Sequence, residues 1–439
     1  MRTIESQNKN TDTALAEIAY LSARNPAQVF HSLMHHINEG SLQRCFEKLD
    51  GKKALGVDGI SKTVYGENLQ VNIEDLIQRM KRMAYRPQAV RQVLIPKEGK
   101  PGATRPLGIG CFEDKLVQSR VREILESIYE PLFLDWSYGF RPGQSCHDAI
   151  KDLRNHLYSE EVEVVIDVDL ANFFGTIDHD VLQNLLKAKI KDTKFMRYIS
   201  RMLKAGVLAE GDLSVSDEGV PQGSCCSGIF SNIVAHHVID EWIEDTVKPL
   251  MKGTLKTFRY ADDLVICCRY EEDAVRVRKA LAKRLEKYKL KLNEDKTKMV
   301  RFSKSKQRQG IKQEAFDFLG FTFYLGKSRR KAIIPKIKTS GKRYRSKLSK
   351  VKDWARQIRN KAPLGDIWKT FCSKLRGHVQ YYGVSFNSKA VANFLREAEK
   401  IMFKWLNRRS QRKSFDWDQF RMFQKQYPLP EAKIYHKLF

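Results

Sequence analysis

The chain has 439 residues, 42% of them hydrophobic and 10% aromatic, which excludes a disordered chain and predicts two or three domains. Its 79 Lys and Arg against 52 Asp and Glu give a net charge of +27, which favours a polyanionic partner, nucleic acid first and an acidic membrane surface second. No stretch approaches the roughly 18 uncharged apolar residues of a membrane span, and the first ten residues are polar, so we expect a soluble protein without membrane contact that stays inside the cell.

Hydrophobic periodicity predicts a body in which helices and strands are mixed. In chain order, the predicted elements are helices at 75–84 and 114–130, a buried strand at 162–168, helices at 181–188 and 193–203, a long apolar helix within 221–245, a strand–turn–strand unit at 257–269, an amphipathic helix at 272–288 and a strand at 316–324. This order predicts an α+β fold.

The positive charge is concentrated in the last quarter of the chain. Residues 327–439 contain 30 Lys or Arg and 7 Asp or Glu, a net charge of +23. Apolar residues recur there at helical spacing, as in Trp354, Ile358 and Ile367, which predicts an all-α region with a cationic face. A solvated charged surface is the alternative, but so large a surplus favours contact with phosphates.

The cysteines and histidines give no metal-binding pattern. None of the eight cysteines forms a C-x-x-C pair, and the ten histidines lack H-E-x-x-H spacing. The sequence therefore predicts neither a zinc ribbon nor a disulfide framework.

Acidic residues end two hydrophobic strands. Asp167 and Asp169 lie at the end of 164–170, and Asp262 and Asp263 lie in the turn of 258–266. Carboxylates so close together in an apolar setting repel one another unless a cation neutralises them, and hard oxygen ligands suit Mg²⁺. Two such ions about 4 Å apart can stabilise an in-line displacement. Taken alone, Asp262 and Asp263 fit a solvated turn equally well.

Periodicity cannot choose between Asp167 and Asp169. Side chains alternate along a strand, so both carboxylates point to the same side of the sheet. Both remain candidates at this level.

The segment Tyr260-Ala261-Asp262-Asp263 resembles the catalytic box of reverse transcriptases, in the form found in bacterial group II intron-encoded proteins. Other blocks resemble that family in the same order along the chain: 53–59, 95–97, 105–109, 114–118, 138–143, 169–179, 219–224, 292–298, 318–321, and 374–377 with 381–382. The resemblance covers roughly residues 30–439, and its strength is the number of ordered blocks.

The resemblance implies a right-hand polymerase with fingers and palm built on an antiparallel sheet, followed by a basic all-α thumb and maturase domain. The implied divisions are an N-terminal extension at 1–29, an RNA-binding block and the start of the fingers at 30–95, fingers and palm at 96–326, and thumb and maturase at 327–439. Relatives often carry a C-terminal HNH nuclease, and with only Cys372 after residue 270 we expect none here.

The resemblance also implies roles for individual residues. Asp169, selected by the following Phe-Phe pair, joins Asp262 and Asp263 as catalytic residues and ligands of two Mg²⁺ ions, with Mn²⁺ as an alternative. The implied deoxynucleotide-binding residues are Lys97, Arg105, Phe174, Gln222 and Lys296, with Phe174 as the aromatic that excludes a ribose 2′-OH. The implied primer grip is Leu319, Gly320 and Phe321. The implied RNA-binding residues are Arg343, Arg345, Lys374, Arg376, Tyr381 and Tyr382.

Three positions depart from the family pattern. They are Gly110, Gly175 and the run Cys225-Cys226-Ser227-Gly228, where the family usually continues with aliphatics and Ser-Pro. None of them removes a metal ligand or a phosphate clamp.

The leading hypothesis is an RNA-directed DNA polymerase encoded by a group II intron that also assists splicing and mobility. Its partners would be intron RNA, an RNA template, a DNA primer or target and deoxynucleotides, as a cytoplasmic, nucleoid-associated ribonucleoprotein in a bacterium. A maturase with a dispensable polymerase and a freestanding reverse transcriptase used in defence or repair remain alternatives. The sequence leaves monomer and dimer equally open.

Overall fold

The computed structural model describes residues 13–96, 102–209, 211–220, 223–409 and 415–438, and there it contains three β-sheets surrounded by helices. The strands of two of the sheets are interleaved in the first two thirds of the chain, and the third sheet leads into a helical C-terminal region. This α+β order agrees with the predicted class. Within the described ranges, no helix is both long and apolar enough to cross a membrane.

The N-terminal helices pack around one long helix. The elements are α1 (Thr13–Arg24), α2 (Glu39–Lys48), α3 (Lys62–Glu67), α4 (Leu69–Lys81) and α5 (Phe112–Tyr129). Helix α5 was predicted at 114–130 and is confirmed. Helix α4 begins six residues before the prediction of 75–84 and ends earlier, because Met83 adopts a left-handed conformation with φ of 57° that a helix cannot continue.

The first sheet has the strand order β2-β1-β4-β5. Its strands are β1 (Val90–Pro96), β2 (Thr104–Ile109), β4 (Val207–Ala209) and β5 (Asp212–Ser214). Strands β1 and β2 form an antiparallel hairpin that pairs Ile95 with Arg105, and β1 runs parallel to β4.

The second sheet is antiparallel, with the order β6-β7-β3-β8. Its strands are β3 (Val164–Asp169), β6 (Leu255–Tyr260), β7 (Asp263–Cys268) and β8 (Lys298–Arg301). Helices pack on both of its faces, which explains why β3 and β7 are continuous apolar runs instead of alternating ones. The strand predicted at 162–168 and the unit at 257–269 are therefore confirmed.

The helices around this sheet are α6 (Cys146–Ser159), α7 (His179–Lys189), α8 (Thr193–Leu203), α9 (Ser227–Ala235) and α10 (Glu271–Glu286). Helix α8 matches the predicted bounds. The long apolar helix predicted within 221–245 is confirmed, because α9 continues without a break at His236 into π-helical turns over His236–Asp240 and Ile243–Val247.

The third sheet has the order β11-β10-β9 and precedes the C-terminal helices. The elements are α11 (Lys304–Arg308), β9 (Phe316–Phe318), β10 (Phe321–Lys327), β11 (Ile333–Thr339), α12 (Gly341–Ile358), α13 (Leu364–Tyr382), α14 (Ser388–Leu406) and α15 (Trp417–Gln426).

The helical region begins at Gly341, so the expectation that it begins at residue 327 is wrong. A boundary at 327 would cut the hairpin of β10 and β11, whose register runs from Phe321 opposite Thr339 to Lys327 opposite Ile333. The high charge density concealed this strand. Ile337 is fully buried, whereas its neighbours Lys336 and Lys338 are not, which is the period of two typical of a strand.

Two hydrophobic cores share the second sheet. Val164, Ile166 and Val168 of β3 pack into a core with the N-terminal helices, α9 and α10. Val165, between them, packs into a core with α6, the third sheet and α12–α15. The alternation of side chains along β3, and likewise along β7, therefore places the two cores on opposite faces of this sheet.

Candidate active site

Two neighbouring strands bring the predicted carboxylates together. Strands β3 and β7 are antiparallel, and their register places Asp169 directly opposite Asp263 at the end of the sheet. Asp262 precedes Asp263 in the hairpin turn that joins β6 to β7. Asp167 lies two residues deeper, opposite Val265. The geometry therefore favours Asp169 over Asp167 as the partner of the turn carboxylates.

The hairpin turn is tight and closely packed. Ala261 adopts a left-handed conformation with φ of 57°. The backbone of Gly139 lies against it, and a Cβ atom at Gly139 would lie 2.3 Å from the Ala261 nitrogen. Only glycine permits this approach, so the segment around Gly139 fixes the position of the turn.

The carboxylates lie in a setting that disfavours their charge. Desolvation in the cleft, followed by the charge of Asp262, raises the pKa of Asp263 to about 7. Desolvation, with the charge of Asp169, raises the pKa of Asp262. Desolvation, with the charge of Asp317, raises the pKa of Asp167 to about 6. Such a group of acids is ready to accept a cation.

Asp169 is held by the segment that leads into β8. Its carboxylate oxygen Oδ1 lies 2.9 Å from Nζ of Lys296. Its backbone nitrogen donates to the Thr297 hydroxyl at 3.2 Å, and its carbonyl accepts from the Asn293 nitrogen at 2.8 Å. Lys296 was predicted near the nucleotide, and the structure places it in the cleft as the counter-charge of Asp169.

The donor set suits Mg²⁺ bound together with a substrate. Among the described residues, no three Asp, Glu, His or Cys side chains converge enough to hold an ion by themselves. Mg²⁺ usually takes one or two protein carboxylates and completes its shell with water and substrate phosphates. Asp169 lies opposite Asp263, and Asp262 precedes Asp263 in the turn, so these carboxylates fit an ion that takes its remaining ligands from water and substrate.

A buried ion pair lies beneath the turn, and sequence reasoning missed it. Arg259, which is 1% exposed, donates from Nε to Oδ1 of Asp240 at 2.8 Å and from Nη2 to the other carboxylate oxygen. It also donates to Asn232 at 3.0 Å, to the Ser137 hydroxyl at 2.6 Å and to the Ala261 carbonyl at 3.1 Å. The signal in the sequence was a charged residue inside an apolar strand.

Phe174 lies beside this cleft, on the short helical turn Phe173–Gly175 that follows β3. Phe173 is only 2% exposed and belongs to the core, whereas Phe174 is partly accessible. Gly175 departs from the family pattern for a steric reason. A Cβ atom there would lie 2.3 Å from Nδ2 of Asn172.

A second missed residue is Gln118 on α5. Its side-chain oxygen accepts from the Ser224 hydroxyl at 3.1 Å and from the Cys225 nitrogen at 3.3 Å, and its carbonyl accepts from the thiol of Cys226. Gln118 therefore holds the turn that enters α9. The unusual cysteines are packed here, and burial raises the pKa of both thiols.

Two protein-family models match parts of this chain. Residues 95–323 match the family model described as reverse transcriptase (RNA-dependent DNA polymerase), and residues 345–423 match the maturase-specific domain of group II introns. The chain belongs to the reverse transcriptase family. It also carries the maturase-specific domain of group II intron proteins.

The chain is also similar to individual proteins, two of which are named as intron proteins. The group II intron-encoded protein LtrA of Lactococcus lactis is 36% identical over 231 residues, which cover 52% of this chain and 38% of that protein. Protein YkfC of Escherichia coli is 30% identical over 310 residues, 64% of this chain and 78% of that protein. An uncharacterized 91 kDa protein in the cob intron of Schizosaccharomyces pombe is 35% identical over 243 residues, 54% of this chain and 29% of that protein. The matched region thus spans well under half of LtrA and of the yeast protein.

The other residues predicted to bind the nucleotide are Lys97, Arg105 and Gln222. Lys97 and Gln222 lie outside the described residues. Arg105 lies exposed on β2, the edge strand of the first sheet. Gly223 packs on the same strand, where its Cβ position is 2.5 Å from the Gly108 carbonyl. Their nucleotide contacts stay a prediction.

The predicted primer grip is the turn between β9 and β10. Leu319 and Gly320 have φ angles of 48° and 82°, and Tyr381 donates from its hydroxyl to the Leu319 carbonyl at 2.8 Å. Phe321 is fully buried, so its ring belongs to the core, whereas Leu319 is partly accessible. Arg343 adjoins this turn, with Cγ 3.8 Å from the Cβ position of Gly320.

The predicted RNA-binding residues of this reverse transcriptase divide into three groups. Arg345, Lys374 and Arg376 are exposed. Tyr381 is partly buried. Tyr382 is 3% exposed and packs on Phe321 with ring centroids 5.1 Å apart, so its ring belongs to the core.

Proposed function

We propose that the protein is an RNA-directed DNA polymerase that copies RNA into DNA and binds group II intron RNA to assist splicing and mobility. Polymerase activity is supported mainly by the position of three carboxylates, Asp169, Asp262 and Asp263, at the same end of one sheet in a chain of the reverse transcriptase family. The maturase match at 345–423 supports the RNA-binding role.

Asp169, Asp262 and Asp263 would hold two Mg²⁺ ions, with Mn²⁺ as a substitute. When bound, the ions supply the charge stabilisation that an in-line attack of a primer 3′-OH on the α-phosphate requires. Lys296 would balance negative charge at Asp169 and at the nucleotide phosphates, and Arg105 and Lys97 would bind the triphosphate from the fingers. Phe174 would exclude a ribose 2′-OH, and the turn of Leu319 and Gly320 would hold the primer.

The RNA contacts would come from the cationic surface of α12 and α13. Arg376 and Lys369 line a cavity of about 700 Å³, together with the rings of Trp368 and Phe423. Cations beside aromatic rings can bind phosphate and stack an unpaired base. Arg345 and Lys374 extend the same charge, and in a bacterium the particle is expected in the cytoplasm with the nucleoid.

Primer extension tests the polymerase. The purified protein should extend a DNA primer on an RNA template with deoxynucleotides and Mg²⁺, and Asp262→Ala should abolish synthesis while intron RNA binding is retained. The matched control is Asp317→Ala, outside the proposed ligand set. A wild-type protein that binds intron RNA and promotes splicing, but does not extend the primer, would instead favour the maturase with a dispensable polymerase.

A further inference from the structure

Phe140 is an unusual residue beside the candidate active site. Its backbone is left-handed, with φ of 58°, and its side chain is 54% exposed. A bulky residue in this conformation is strained, and a ring that stays half in water recovers little free energy by burial. Fold stability therefore does not explain a phenylalanine at this position, and strained residues of this kind cluster at functional sites.

The ring of Phe140 lies against Phe174. Their centroids are 6.0 Å apart and the ring planes meet at 89°, an edge-to-face pair. Phe173 contacts Phe174 as well, at 5.8 Å and 73°. Phe174 is thus placed between a buried ring, which belongs to the core, and an exposed ring, which does not.

Helix α9 makes room for Phe140. A Cβ atom at Gly228 would lie 2.9 Å from both Cβ and Cγ of Phe140. Any other residue at Gly228 would displace the ring. The departure of this chain from the family pattern at Gly228 therefore coincides with the place that Phe140 occupies.

The residue before Phe140 fixes the pair relative to the catalytic turn. Gly139 lies against Ala261, and its carbonyl accepts from Nδ2 of Asn232 at 2.7 Å. Gly139 therefore contacts the turn that carries Asp262, and the next residue, Phe140, contacts Phe174.

We propose that Phe140 is a positioning residue for sugar selection, which holds the ring of Phe174 where it rejects a ribose 2′-OH. The inference rests on the proposed function, in which Phe174 is the excluding ring. A ring that excludes one hydroxyl group must not yield when a ribonucleotide presses on it. Phe173 supports it from the core, and Phe140 blocks its rotation on the exposed side.

The test compares single-nucleotide insertion of dNTP and rNTP on an RNA template, with kcat and KM measured separately. In Phe140→Gly, the ratio of kcat/KM for dNTP to that for rNTP should fall about tenfold, the scale of a lost steric contact. Most of the change should come from faster rNTP insertion, with kcat for dNTP retained. Tm should equal or exceed that of the wild type, because glycine relieves the backbone strain. Phe140→Tyr should keep the selectivity.

Phe386→Gly is the matched control. Phe386 is also left-handed, with φ of 70°, and 36% exposed, but it belongs to the C-terminal region. This variant should leave the dNTP to rNTP ratio unchanged. Gly228→Ala provides a second route, since its methyl group should push Phe140 aside and lower the ratio in the same direction.

A double variant separates the possible outcomes. If Phe140 acts through Phe174, then Phe174→Ala with Phe140→Gly should be no less selective than Phe174→Ala alone. Additive losses, or an unchanged ratio in Phe140→Gly while Phe174→Ala loses selectivity, would overturn this inference and leave the polymerase intact. A wild-type protein that extends no primer would overturn the proposed function itself.

Discussion

The ion pair beneath the catalytic turn allows a quantitative test of what holds the active site together. Arg259→Met keeps the length of the side chain and removes its charge. Asp240, whose side chain is 0% exposed, would then be a buried carboxylate without its cation. The hydroxyl of Ser137 and the carbonyl of Ala261 would each lose a donor as well.

The expected loss is large because the charge left behind cannot reach water. Removing one partner of a buried ion pair typically costs about 3–5 kcal/mol. For a domain of roughly 150–250 residues, this corresponds to a fall in Tm of about 6–20 °C. Asp240→Leu combined with Arg259→Met should cost less than Arg259→Met alone, because the pair is then replaced by apolar groups.

The assay is thermal unfolding followed by circular dichroism, together with primer extension at 25 °C. Arg269→Met is the control, since Arg269 lies at the exposed end of the next strand and should shift Tm little. An Arg259→Met protein that unfolds at the wild-type temperature would refute the reasoning. So would a double variant that loses as much as the two single variants together.

Three further expectations follow from the same kind of argument. Desolvation raises the pKa of Asp114, which is 3% exposed, to about 6, so the native state binds this proton more tightly than the unfolded state. The resulting stabilisation, on the order of 2–3 kcal/mol, is present below pH 3.8 and is lost as the pH rises through 6. The free energy of unfolding of Asp114→Asn should therefore lack this change between pH 4 and 6. The ring of His378 stacks on Phe394 at 3.5 Å, and neither of its ring nitrogens has a hydrogen-bond partner among the described residues. His378→Phe removes these unsatisfied nitrogens and should raise the free energy of unfolding by about 1 kcal/mol, so a lower Tm in thermal unfolding would contradict this reasoning. Lys296 forms an ion pair with Asp169 and would compete with Mg²⁺ for its carboxylate. Because exposed ion pairs contribute up to about 1 kcal/mol, Lys296→Met should lower the Mg²⁺ concentration for half-maximal primer extension by up to about fivefold at saturating dNTP. An unchanged or higher Mg²⁺ requirement would contradict this competition.

The sequence was informative where one physical effect dominates. Strands β3 and β7 are buried on both faces, so their apolar runs identified them without ambiguity. The carboxylates at their ends were visible as charges that an apolar strand does not need. The choice of Asp169 over Asp167 rested on the resemblance, because alternation along a strand places both on one side.

Polar groups inside the core were harder to assign. A single charged residue in a strand does not reveal its partner, so the pairing of Arg259 with Asp240, 19 positions apart, required the fold. Phe140 was missed because a left-handed conformation is a property of the backbone that no apolar pattern encodes. Gln118 was missed because its partners lie more than 100 positions away.

The burial of Tyr382 could have been predicted from helical periodicity. It lies on the same face of α13 as Phe371, Leu375 and His378, at spacings of four, three and four residues, and all four are buried. Lys374 and Arg376 fall on the other face and are exposed. The resemblance implied RNA contact for Tyr382, whereas its position on the helix places its ring in the core.

The second sheet, which has one hydrophobic core on each face, limits how the sequence of this protein could diverge. The C-terminal helices bury their apolar face partly against residues of the catalytic sheet, such as Val165, Val265 and Phe258. A descendant selected only for RNA binding would therefore have to keep that sheet in order to fold its RNA-binding half. In such a lineage the apolar strands would persist after polymerisation was lost, and only the carboxylates at their ends would be free to drift. Among homologues, the fate of Asp169, Asp262 and Asp263 would therefore record the history of the chemistry, and the strands would record the history of the fold.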